Sequence, residues 1–163
     1  MKTYSRDDHV ALAVWALDCA ERVLPLFERN YPDDERPGNA LKVGREWVRT
    51  GVFSMAAIRG ASLSAHASAK DVKADQAACA AAHAAGQAVA TAHVPQHAYG
   101  GAYYALKAII ADRPDFAEQS VYDERAWQSA QLPDHLRDEI MGRIVVEPRK
   151  KGLFVTIKKG PGY

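Results

Sequence analysis

The chain has 163 residues and a mass of 17.8 kDa, the size of one domain with enough interior to fold without disulfides or a structural metal. Hydrophobic residues at 48% and charged residues at 25% exclude a disordered or fibrous chain. The near-balance of 21 Lys plus Arg against 20 Asp plus Glu excludes the strong positive field of a typical nucleic-acid binder. No apolar window of about eighteen residues occurs, and the start, MKTYSRDDHV, lacks an apolar signal core, so a cytoplasmic protein without a membrane anchor is expected.

From Asp7 to Asn30, apolar residues recur at Val10, Ala13, Val14, Leu17, Ala20, Leu24 and Phe27, the spacing of a helix face, with Ser5, Asp7 and Asp8 suited to its N-terminus. A second apolar row through Leu12, Ala16, Cys19, Val23 and Leu26 makes this helix central. Pro25 predicts a kink, or an end near Val23. After the acidic loop NYPDDERP, Pro37 sits early in a second helix running to about Thr50, with Gly51 as its stop. Ser54 caps a third helix to about Lys70. The fourth, about Asp75 to Val94, carries eleven alanines between Ala74 and Ala92 and is helical by propensity alone. Gly86, spaced four from Ala82 and Ala90, predicts a flat ridge that another helix backbone approaches closely.

Pro95 breaks the chain before a fifth helix, about Gln96 to Ala111. Asp115 is placed to cap a sixth helix through Gln131, and a short seventh runs from Leu132-Pro133 to about Met141, stopped by Gly142. Ile144 to Glu147 and Leu153 to Lys158 read as two strands joined by a loop over 148–152, with Leu153, Val155 and Ile157 on the face that packs inward. From Arg143 onward six basic residues stand against one acid, a local charge of +5. The expected architecture is an all-α single domain of six to seven helices over residues 1–142, with a basic hairpin, 143–163, docked on the bundle because a lone hairpin is marginal.

Cys19 and Cys79 have no second cysteine nearby, so both read as free, buried thiols. His93 and His97 are four apart, as in helical metal sites, and His83 falls about 40° away on the same helical wheel. Pro95 intervenes, and the H-E-x-x-H pattern is absent. Asp18, four before Arg22, reads as half of a helical ion pair. If buried, it needs a partner on another helix, such as a histidine of the fourth. Asp18, His83, His93 and His97 therefore form the alternative reading, a small-ligand or metal site between helices. Lys42, Arg45 and Arg49 share one helix face, with Arg59 nearby, and suit an acidic partner or simply a solvated surface. No nucleotide loop, G-x-S-x-G or carboxylate pair is present, so no catalytic residue and no cofactor is expected.

Four blocks, DHVALAVWALDCAERVLPLFE (8–28), DERP followed by GREWVRTG (34–51), AAGQAVATAHVPQHAYGGAYYALKA (84–108) and ERAWQSAQLPDHLRDEI (124–140), resemble the Imm-5-like family of immunity proteins. The resemblance implies a small all-helical bacterial protein whose partner is a cognate polymorphic toxin, neutralised by binding. It brings no catalytic residues with it. Surfaces expected to meet the toxin are Lys42, Arg45 and Arg49, the aromatics Tyr99, Tyr103 and Tyr104, and the basic hairpin, since Arg and Tyr are over-represented at interface anchors. The hairpin as a nucleic-acid contact is a third reading.

Overall fold

The computed structural model describes residues 2–161 and 163, and within them the helical periodicities become seven α-helices and one hairpin. The helices are α1 (Arg6–Glu28), α2 (Arg36–Thr50), α3 (Met55–Asp71), α4 (Gln76–Ala90), α5 (His97–Asp112), α6 (Ala117–Gln131) and α7 (Asp134–Arg143). The strands are β1 (Ile144–Arg149) and β2 (Gly152–Ile157). The all-α bundle with a C-terminal hairpin is as expected.

Local chemistry sets several of the helix ends. The Ser5, Ser54 and Asp75 side chains accept the N–H of the residue three further on, at 3.1, 3.3 and 3.1 Å. Gly51 closes α2 in the left-handed region at φ 68°, its N–H donating to the Trp47 carbonyl at 2.8 Å.

Five expectations about where elements begin and end need correction. Pro25 does not end α1 near Val23. It lies exposed in the last turn of a helix that continues to Glu28, where a proline removes a single intrahelical bond. The fourth helix ends at Ala90 rather than Val94: ahead of Pro95 the chain tightens into a turn over 91–93, with Ala92 N–H bonded to the Val89 carbonyl and His93 N–H to the Ala90 carbonyl. Asp115 lies in a single 3-10 turn, Pro114–Phe116, and Phe116 occupies the α6 cap without a side-chain bond. Gly142 stays inside α7, exposed and without a positive φ. Pro148 belongs to β1 rather than to the loop, which shrinks to Lys150 and Lys151.

The alanine-rich α4 packs against α1, α2, α3 and α5 at once. Its alanines and Val89 are buried on nearly all sides, and small side chains let four neighbours come close. α1 supplies the bulk that α4 lacks: Leu12, Trp15, Leu17, Val23 and Phe27 are each at most 1% exposed. The close backbone approach expected at Gly86 occurs instead at Gly101 of α5, where a Cβ would stand 3.2 Å from Ala16 Cβ and 3.4 Å from the Ala16 carbonyl oxygen.

α6 is tied to α1 through Trp15, whose indole N–H donates to the Gln128 carbonyl at 2.8 Å. Arg22 forks onto buried Glu124 at 2.9 to 3.1 Å while lying 3.9 Å over the Trp127 ring. The hairpin docks by burying Ile144 and Val155, and β2 lies against α5. Among the described residues no helix is long and apolar enough to cross a membrane.

Candidate functional site

Two polar side chains one turn apart, His83 and Gln87, interrupt the alanine surface of α4. The His83 Nδ1 meets the His66 Nδ1 of α3 at 2.7 Å, so one ring donates its N–H and the other accepts. Gly86 makes room for this pair: a Cβ there would lie 2.8 Å from His66 Nε2. The His83 ring stacks on Tyr104 of α5 at 4.9 Å, and Tyr103 meets Tyr104 edge-on at 4.9 Å. Gln87 Oε1 accepts from His97 Nδ1 at 2.8 Å, and the His97 ring lies 5.0 Å from His93. Burial pushes the histidines His66, His83 and His97 below their ordinary value. His83 adds to this at His66, Lys107 and Lys70 at His83, and His93 at His97.

His83 and the tyrosine pair open onto a groove of about 660 Å³ between α4, α5 and β2. Tyr103, Tyr104, Ile110, Leu153 and Phe154 supply its apolar lining, and Lys73 and Lys107 its charge. The Lys107 ammonium lies 5.4 and 5.7 Å from the Tyr103 and Tyr104 ring centres. No aspartate or glutamate is among the lining residues, in a chain with 20 of them. Cys79 also lines the groove. It is half-buried rather than buried as expected, and burial pushes its thiol up, into the protonated and weakly nucleophilic form. The groove therefore presents stacked rings and two ammonium groups, a surface suited to binding an anionic, partly apolar group.

The other expected site residues lie apart from it. Tyr99 is 2% exposed, a core residue whose hydroxyl lies 3.4 Å from that of Tyr4. Arg45 bonds Asp18 and Glu21, and Arg49 forks onto Glu46 at 2.6 and 3.0 Å, so the stripe with Lys42 is largely neutralised by its own carboxylates. It borders a second groove of about 630 Å³ that Glu21, Glu28, Glu35 and Glu46 also line. Asp18 meets Arg45 rather than Arg22 or a histidine, and Arg22 reaches Glu124 instead.

His93 sits in the turn after α4 and His97 opens α5, so the two do not share one helix although their rings touch. Among the described residues no three His, Cys, Asp or Glu side chains converge to hold a metal ion. Sequence reasoning missed His66, which no local spacing links to His83 seventeen positions on. It also missed Lys107, which a helix places one turn from both tyrosines and which was therefore open to view.

Compared with known proteins, the chain matches the family model described as Imm-5 like putative immunity protein over residues 2–135, from the start of the chain into α7. No curated protein and no solved structure matches it.

Proposed function

Since the chain belongs to the Imm-5 like putative immunity protein family, we propose that it is a bacterial immunity protein that neutralises a cognate toxin by binding it in the cytoplasm, without catalysis of its own. The observation that supports a binding role is the groove beside β2. Tyr103, Tyr104 and Phe154 stand partly exposed there, with Lys107 above the tyrosines and no carboxylate in the lining. Aromatic anchors are enriched at the centres of protein interfaces, and lysines beside them favour a partner of opposite charge. Lys42, Arg45 and Arg49 serve less well, because Arg45 and Arg49 must first give up carboxylates they already hold. The test is co-expression with a candidate toxin domain, sought among the genes neighbouring this one: the toxin should kill alone, be tolerated with this chain, and co-purify with it. Continued killing with no association contradicts the proposal for that partner.

A further inference from the structure

We infer that the groove receives an extended acidic segment of a protein partner, which adds a third strand to the free edge of β2; this rests on reading the chain as a toxin-binding protein. The hairpin is a two-stranded sheet, so each strand keeps one unpaired edge. Its register runs from Ile144 opposite Ile157 to Arg149 opposite Gly152, and the Lys158 N–H donates to the Arg143 carbonyl at 2.8 Å. Bonded pairs alternate along an antiparallel ladder. The bonded pairs are therefore Val145 with Thr156, Glu147 with Phe154 and Arg149 with Gly152, and the backbone groups of Leu153, Val155 and Ile157 point away from β1. Among the described residues none of those three amides finds a backbone partner.

The two edges are not equivalent. On β1 the outward positions are Ile144, Val146 and Pro148. Pro148 has no N–H to offer, and the Ile144 carbonyl already accepts from Arg125 at 3.2 and 3.1 Å. β2 carries no such block. Leu153, Phe154 and Val155 all line the groove although consecutive strand residues point to opposite faces, so the groove follows the edge of β2 rather than one of its faces. An unpaired edge beside an apolar groove is the arrangement used for strand addition.

Charge selects the occupant. Lys73 and Lys107 stand exposed on the groove wall, neither in an ion pair among the described residues, and the hairpin turn adds Lys150 and Lys151. A strand that carries both acidic and apolar residues can set its carboxylates against these ammonium groups and its apolar side chains against the rings beside them.

The probe is a capped peptide alternating glutamate and valine, titrated up to millimolar and followed by amide NMR of the chain. Two controls accompany it: the same peptide N-methylated at alternate amides, and one with lysine for glutamate. The expected result is binding that shifts the Leu153, Val155 and Ile157 amides and slows their exchange, falls at least tenfold on N-methylation or with Lys107→Glu, and is absent with the lysine peptide. No binding, or binding indifferent to N-methylation or to charge, overturns the inference. A chain that protects against the toxin but ignores the peptide loses only the strand addition; one that binds the peptide but neither captures the toxin nor protects loses the immunity reading.

Discussion

Replacing Gly86 by alanine tests whether the His66–His83 pair is built into the packing of α3 on α4. In an exposed mid-helix position this change stabilises by about 1 kcal/mol, because glycine loses more backbone freedom on folding. Here the added Cβ would stand 2.8 to 3.0 Å from His66 Nε2, Cε1 and Cδ2, inside contact distance for the whole edge of the ring. The ring can yield only by leaving the 2.7 Å bond to His83, worth about 1 kcal/mol, and overpacking adds about 1–3 kcal/mol. Gly86→Ala should therefore destabilise by about 1–3 kcal/mol net. In a His66→Ala background the obstacle is gone, and the same change should stabilise by up to about 1 kcal/mol. Urea denaturation of the four proteins of this cycle measures both values. If Gly86→Ala stabilises with His66 present, the ring is not held against α4 and the reasoning fails.

Arg22→Met should cost about 3 kcal/mol, since it strands the Glu124 carboxylate, 5% exposed, without its partner; a thermal melt within a degree of the parent would show that the pair contributes nothing. Arg49→Ala should leave the same melt unchanged, because Arg49 and its partner Glu46 are both exposed. Acidification should weaken the fold. His66, His83 and His97 bind protons less readily folded than unfolded, so the unfolded chain takes them up first as pH falls through about 6.5. Melting temperature should accordingly drop between about pH 6.5 and 5, less steeply in His83→Gln; a flat profile would contradict the burial of these rings. Tyr104→Ala should weaken toxin binding about thirtyfold, the effect of losing an anchor worth about 2 kcal/mol, read by calorimetric titration.

Where a structural feature depends on neighbours in sequence, the residues disclosed it. The Ser5 and Ser54 caps, the Gly51 stop and the alanine run of α4 all act within one helical turn. Features whose outcome depends on which side meets solvent or another element were hidden. Pro25 is harmless because its turn is exposed, and Pro148 fits a strand because it sits at an outward position on an edge. The spacing of Asp18 and Arg22 suggested a local pair, yet Arg22 reaches Glu124, 102 positions away, and Asp18 takes Arg45 from α2. The groove was half legible: Tyr103, Tyr104, His83 and the hairpin were each singled out. Their meeting on one groove depends on how the hairpin folds back over α5.

The central claim, that this chain neutralises its toxin through the groove beside β2, is met most directly by one titration. A toxin domain against which the chain protects in co-expression is titrated into the parent chain, into Lys107→Glu with Phe154→Ala, and into a control altered at the exposed α2–α3 turn, Val52→Ser with Phe53→Ser. The account predicts that the groove variant loses at least tenfold in affinity at an unchanged melting temperature while the turn variant binds like the parent. Equal affinity in the groove variant, or loss confined to the turn variant, would contradict it.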